Sequence, residues 1–223
     1  WITSIQSREM VQKMRIEYGC VLTGINTIMA DDPTLFPKTD TGGTLKDNLK
    51  SYLAGGHTDY FRIILDTGLR IPLDSNIIKT ACDINTIIFT SDRSREKTGT
   101  SKKVKKLKGS KISLEFLSSI RPEPEEVLKI LFNKYGIVSV MLEAGPAILT
   151  SFLTEKLIDK FIIFLAPKII GGDSPYNMFS KLENDYIGDS MDLEFSTYKK
   201  IGSDLMVTAY PKNNSKQSGR SGI

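Results

Sequence analysis

Short runs rich in branched apolar residues recur along this chain: "CVLTG" at 20–24, "FRIILD" at 61–66, "TIIFTS" at 86–91, "KISLEF" at 111–116, "IVSVML" at 137–142 and "KFIIFLAP" at 160–167. Segments with helical spacing separate several of them. This alternation constrains the fold more than any other feature, because strands joined through helices pair in parallel by right-handed crossovers and bury both faces of their sheet. The stretch "MDLEFSTYKKIGSDLMVTAY" at 191–210 reads instead as two strands joined by a tight turn around Gly202 and Ser203. The expected class is three-layer α/β, with a mostly parallel sheet and an antiparallel C-terminal edge.

The helical segments carry their own punctuation. Thr3 or Ser4 caps a first helix, Gln6 stands three residues after Thr3, Val11, Met14 and Tyr18 share a face, and Gly19 ends it. "INTIMADDP" is a short helix stopped by Pro33, which should also push Asp32 into extended backbone. In "PEEVLKILFNKYG", Val127, Leu128, Leu131 and Tyr135 line one face before Gly136, and in "PAILTSFLTEK" Ile148, Leu149 and Phe152 do the same. Residues 39–59, rich in glycine and threonine, read as a surface excursion with one helical turn at "LKDNLKSYL".

A chain of 223 residues, 40% hydrophobic, supports one core, expected over 1–211, followed by a polar, disordered tail at 212–223. No apolar run is long enough for a membrane helix, and no basic leader precedes an apolar stretch, so a cytoplasmic protein is expected. Cys20 and Cys82 have no CxxC spacing and His57 is the only histidine, which argues against a metal site. The net charge of +4 draws on "SREKTGTSKKVKKLKG" at 94–109, which lacks interleaved aromatics and reads as a solvated basic face, not a nucleic-acid surface. The start at Trp1 leads us to expect missing upstream sequence.

Ligands in an open α/β sheet lie beyond the carboxyl ends of the strands. Four places follow apolar runs there: Thr23-Gly24 with "NTIMADDP", Asp66-Thr67, Thr90-Ser91, and "EAGPAILTS" at 143–151. In the last, Gly145 admits a close ligand, and a helix beginning at Pro146 aims free N–H groups and its positive dipole end at an anion. An ordinary strand-to-helix turn has the same composition, and no GxGxxG occurs. Arg8 and Arg15, seven apart, suit either a phosphate grip or a solvated face. The adjacent acids Asp31 and Asp32 suit either chemistry or a turn.

The strings "WITS…R…VQKMR", "VLTGINTIMADDPTL", "RIILD", "LEAGPAILTSFL" and "LIDKFIIFLAPKIIGG", in that order, resemble the reductase domain of the bifunctional riboflavin-biosynthesis deaminase/reductase. The resemblance covers residues 1 to 210. It implies a dihydrofolate-reductase-like fold and NADPH-dependent reduction of 5-amino-6-(5-phosphoribosylamino)uracil by hydride transfer to C1′. Trp1, Thr27, Asp31, Thr67, Gly145, Pro146, Ala147, Ile148, Leu149, Thr150 and Ser151 are then expected to contact cofactor. Arg15, Leu35, Lys38 and Glu143 are expected to contact substrate, with Arg15 at the ribose phosphate. Asp31 and Glu143 are the implied catalytic residues, Asp31 as proton donor. Thr90, Ser91 and Arg93 stand where the 2′-phosphate of NADPH could be met.

Lys38 occupies a position where the family commonly has arginine. The family's usual first strand ahead of the tryptophan and its zinc deaminase domain, with H-x-E and P-C-x-x-C ligands, are missing from this chain, and zinc would belong only to such an upstream domain. A homodimer is expected. Two other readings stay open: a fungal or archaeal type reductase acting on the diaminopyrimidinone before deamination, and a nucleotide-binding relative without turnover.

Overall fold

The computed structural model describes residues 1–38, 45–56, 59–96, 100–110, 112–170, 177–180 and 190–212. Most of the expected tail and His57 lie outside the described residues. The elements run α1 (Ile5–Tyr18), β1 (Cys20–Gly24), α2 (Ile25–Asp31), α3 (Leu45–Ala54), β2 (Phe61–Leu65), α4 (Asn76–Lys79), β3 (Asn85–Ser91), α5 (Thr100–Gly109), β4 (Ile112–Leu117), α6 (Pro124–Tyr135), β5 (Met141–Leu142), α7 (Pro146–Thr154), β6 (Phe161–Leu165), β7 (Leu193–Ile201) and β8 (Asp204–Pro211). A 3₁₀ turn over Asp92–Glu96 follows β3.

Five strands form a parallel sheet in the order β4-β3-β2-β1-β5. The period of two in each strand divides its residues between two apolar layers. Val21, Ile64 and Ile88 face a layer with Ile28, Phe36, Tyr52, Ile77 and Leu107. Leu22, Ile63, Leu65, Ile87 and Phe89 face Val127 and Leu131 of α6 and Phe152 of α7. The three-layer expectation is met, because helices cover both faces. Burial pushes the Cys20 thiol, within the second layer, up to about 12.

The antiparallel strands depart from the expected placement. Among the described residues they form a separate three-stranded sheet, β6-β8-β7, in place of an edge on the parallel sheet. Its β7–β8 hairpin turns at Gly202, whose φ of 60° is left-handed, and meets the first turn of α1. Ser4 is the N-cap, accepting from Ser7 N–H, while Asp204 accepts from Ser4 N–H at 2.7 Å and Ser7 Oγ at 2.6 Å. A Cβ on Gly202 would lie 2.6 Å from Gln6 Oε1.

Three local expectations need correction. Of "IVSVML" only Met141–Leu142 is strand: the register Val21↔Met141 carries residues 137–139 past the start of β1, so they have no backbone to pair with there. Asp32 is left-handed (φ 40°, ψ 52°), not extended. It closes α2 as the C-cap, and Asn76 stabilises it by donating N–H to its Oδ1 and Nδ2 to its carbonyl, both at 2.8 Å. "LKDNLKSYL" is not one turn but most of a ten-residue helix, Leu45–Ala54, held on the core by Tyr52 and Leu49, because its apolar residues recur at helical spacing.

Candidate functional site

Glu143 is the first residue after β5. Its N–H donates to Leu22 O at 3.0 Å, which fixes it beside the carboxyl end of β1. Arg15 reaches it from the last turn of α1, where the carbonyl end of the helix favours a cation. Arg15 Nε and Nη2 donate to Glu143 Oε2 and Oε1 at 2.9 and 2.6 Å, a two-point fork. The Arg15 side chain is 11% exposed and that of Glu143 35%, so Arg15 is the more deeply buried partner and Glu143 the one that solvent reaches. Burial opposes the charge on Arg15, but hydrogen bonding and attraction from Glu143 outweigh it, and its pKa lies above the ordinary value.

Gln12, one turn earlier, extends this pair. Its Oε1 accepts from Lys38 N–H at 3.1 Å and lies 3.5 Å from Arg15 Nη1. Lys38 itself is exposed, whereas Leu35 is buried in the core. Leu35 can therefore offer a ligand only its backbone, which has φ of 53° and whose carbonyl accepts from Tyr60 Oη at 2.8 Å. Tyr60 lies close enough to Arg15 and Glu143 to interact electrostatically, and burial, first among several causes, raises its pKa. Arg15, Glu143, Leu35 and Lys38 are thus gathered into one group, with Gln12 and Tyr60 as members that sequence reasoning missed. Gln12 sits in the quoted "VQKMR" run, three residues before Arg15, which was the available signal.

The residues expected at the cofactor gather around the start of α2. Gly24 is its N-cap, and a Cβ there would lie 2.5 Å from Ile148 Cδ1, so α7 packs tightly at this point. Arg70 Nη2 donates to Asn26 Oδ1 at 2.8 Å, tying the turn that carries Thr67 to the same helix. Thr27 and Thr67 are half-buried. Gly145 has ordinary extended backbone (φ −73°, ψ 171°), and a Cβ there would meet nothing within 4 Å among the described residues. Neither conformation nor packing demands glycine; open space lies above it. Pro146 starts α7, no side chain caps the helix, and its first turn has no acid. Farther along, Ser151 Oγ donates to Ile148 O and Thr150 Oγ1 accepts from Ser180 N–H.

Other expected contacts fall differently. Asp31 ends α2, exposed and with no hydrogen bond or ion pair among the described residues. Trp1 is 94% exposed; Arg8 lies over its ring, 4.6 Å from the centroid, and donates from Nη1 to Thr3 O at 2.8 Å. Thr90 and Ser91 are buried, and their hydroxyls donate inward to Thr67 O and Ser119 O at 3.2 and 2.8 Å. Of the three residues expected at a 2′-phosphate, only Arg93 is exposed. Thr23 Oγ1, buried at the end of β1, has no hydrogen-bond partner among the described residues.

The family model described as the RibD C-terminal domain matches residues 1–207. A "5-amino-6-(5-phosphoribosylamino)uracil reductase" of Buchnera aphidicola subsp. Acyrthosiphon pisum is 32% identical over 217 residues, covering 95% of this chain and 96% of that protein. A "Riboflavin biosynthesis protein RibD" of Aquifex aeolicus is 30% identical over 93% of this chain and 50% of its own length. The solved structure of Acinetobacter baumannii RibD, form 2, superposes with a TM-score of 0.74 at 23% identity, over 95% of this chain and 52% of that one. The chain therefore spans about half the length of these two RibD proteins and nearly all of the Buchnera reductase.

Proposed function

Because the chain belongs to the family of RibD C-terminal domains, we propose that it is a reductase of riboflavin biosynthesis. Its substrate is 5-amino-6-(5-phosphoribosylamino)uracil and its reductant NADPH. The observation that carries this reading is the Arg15–Glu143 pair standing beside the open space over Gly145. One end offers a fixed carboxylate to a polar ring or sugar, and the other offers backbone to an anion.

The residues present fit a nicotinamide dinucleotide. The uncapped N-terminus of α7, without an acid in its first turn, suits a pyrophosphate, and the space over Gly145 lets it reach the backbone. Thr27, Thr67 and the residues from Pro146 to Ser151 complete the surface that would hold it, with Trp1 at the margin. Preference for the 2′-phosphate rests on Arg93, since the hydroxyls of Thr90 and Ser91 are spent inward. When bound there, the nicotinamide supplies the hydride that turns the ribosyl carbon into a ribityl one.

The chain's own residues orient and protonate. Arg15 holds Glu143 in one orientation, so that its remaining lone pairs accept from pyrimidine N–H groups or ribose hydroxyls. Two of the guanidinium nitrogens are committed to Glu143 and the third, Nη1, donates to Gln12 Oε1 at 3.5 Å, so a substrate contact from Arg15 would compete with Gln12. Lys38 and the backbone of Leu35 take the phosphate. The Asp31 carboxyl, free of protein partners among the described residues, passes the proton required during imine formation or reduction. The reading includes a homodimer, supported by exposed Phe195 and Tyr198 on the edge strand β7.

The test is NADPH oxidation with each of two pyrimidine phosphates. Consumption with the deaminated uracil is the expected result. Faster turnover of the diaminopyrimidinone moves the chain to the fungal and archaeal type, and oxidation with neither overturns the reading.

A further inference from the structure

Two buried polar side chains, Tyr60 and Arg62, lie on the same side of the chain as it enters β2, one strand period apart. Both point at the loop that follows α2. Tyr60 Oη donates to Leu35 O at 2.8 Å, and Arg62 Nη1 donates to Thr34 O at 3.0 Å. Two successive carbonyls of this loop are thereby drawn toward the core. A planar trans peptide directs its N–H opposite to its carbonyl, so the N–H groups of Leu35 and Phe36 are turned the other way. Neither donates to an acceptor among the described residues. Leu35 at φ 53° is in the left-handed region, where a leucine stays only if its surroundings hold it. Consecutive amides around such a residue form a concavity that suits an anion, and Lys38 is exposed at its edge.

Arg62 is an expensive choice for this position. It is fully buried, burial lowers its pKa to about 10, and no carboxylate pairs with it among the described residues. Its donors go to Thr86 Oγ1, Thr80 Oγ1, Ile77 O, Ile84 O and Thr34 O. The first four belong to α4, β3 and the turn between them, where two layers already pack through Ile64 and Ile77. The bond to Thr34 is the one that leaves this unit and reaches the candidate site. Tyr60 is wedged against Phe36, with ring centroids 5.0 Å apart, so its hydroxyl is aimed by packing.

We propose that Tyr60 and Arg62 are positioning residues: they hold the backbone of residues 34–38 so that the amides of Leu35 and Phe36, with Lys38, receive the phosphate of the substrate. This rests on the reading of the site given above. Neither side chain touches substrate; each acts through a carbonyl.

The experiment compares Tyr60→Phe, which keeps the ring and removes only the hydroxyl, with the unaltered chain, using the phosphoribosyl substrate, its dephosphorylated counterpart, and ribose 5-phosphate in a calorimetric titration. In Tyr60→Phe we expect kcat/KM for the phosphorylated substrate to fall about five- to tenfold, and that for the dephosphorylated one to stay within about twofold. Ribose 5-phosphate affinity should fall by a similar five- to tenfold factor, roughly, while the KM for NADPH is unmoved. Arg62→Lys should show the same selective loss wherever it folds. Equal loss for both substrates, or ribose 5-phosphate binding that is absent from the unaltered chain or unchanged by Tyr60→Phe, overturns the proposal. Should the unaltered chain bind ribose 5-phosphate in a Tyr60-dependent way and yet turn over neither pyrimidine, the proposed reaction fails and the positioning role stands.

Discussion

At one end of the site, Arg15, Glu143, Gln12 and Tyr60 are bound to one another or to nearby backbone through side chains brought from three separate segments. At the other, Gly145, Pro146 and Ala147 present backbone, an uncapped helix start and unfilled space. The first end is locked before any ligand arrives, so its strength comes from preorganised charge in a partly desolvated place. The second is unlocked, and its capacity comes from what was left out. The two should therefore fail differently when altered: the first through stability and turnover together, the second through cofactor affinity with the fold intact.

The largest effect is expected from Arg15→Ala. It strands the Glu143 carboxylate beside a void, and we expect kcat/KM to fall by about a hundredfold or more and urea-derived stability to fall by about 1–3 kcal/mol, the pair being only partly buried. A rise in KM alone, at unchanged stability, would return Arg15 to a simple phosphate contact and erase the contrast between the two ends.

Next come two glycines that look alike in sequence. Gly24→Ala places a Cβ into Ile148 at 2.5 Å and should lower stability by about 1 kcal/mol as that flexible side chain shifts. Gly145→Ala meets nothing within 4 Å among the described residues and should leave the denaturation midpoint unchanged. Equal losses of stability in the two variants would mean that the space over Gly145 is ordinary packing.

The smallest effect concerns the far end of α1, which carries Arg15. Hydrogen bonds from Ser7 Oγ and then Ser4 N–H hold Asp204 down at about 2. A depressed carboxylate contributes stability that is complete above its unfolded value and is lost as pH falls through the folded one. Stability should thus decline between about pH 4 and about pH 2 through this group, and Asp204→Asn should flatten that part of the profile. Turnover near neutral pH should change little, because the anchor is remote from Glu143. A large fall in kcat at neutral pH would couple the hairpin to the chemistry.

The unlocked end was legible in the sequence because its information is local. Gly145 and Pro146 are neighbours, and each type carries its meaning in the turn where it stands. The locked end was not. Arg15 and Glu143 are 128 positions apart, and no periodicity encodes a pair across that distance; the resemblance placed both at the substrate without showing that they bind each other. Arg62 was hidden inside "FRIILD", an apolar run in which one arginine suggests an exposed position. It is buried because Thr80 and Thr86, on the next helix and strand, accept its protons. Thr90 and Ser91 misled in the opposite direction: hydroxyls at a strand end suggested a phosphate, but carbonyls of adjoining turns had already taken them. The five parallel strands were readable one by one, but "KFIIFLAP", read along with them, pairs antiparallel with β8, and the length of β5 was not readable, since that depends on where β1 begins.

The most direct test of two independent ends is a paired measurement on Glu143→Gln and Gly145→Val, with NADPH Kd followed by fluorescence of Trp1, the only tryptophan, and turnover followed by loss of NADPH absorbance. Glu143→Gln keeps the shape and removes the charge, so turnover should fall by about tenfold or more while NADPH Kd stays within about twofold. Gly145→Val fills the open space, so NADPH Kd should rise by about tenfold or more, with stability unchanged. If both variants lose cofactor affinity and turnover alike, or if Gly145→Val binds NADPH as the unaltered chain does, the division of the site into a side-chain end and a backbone end is wrong.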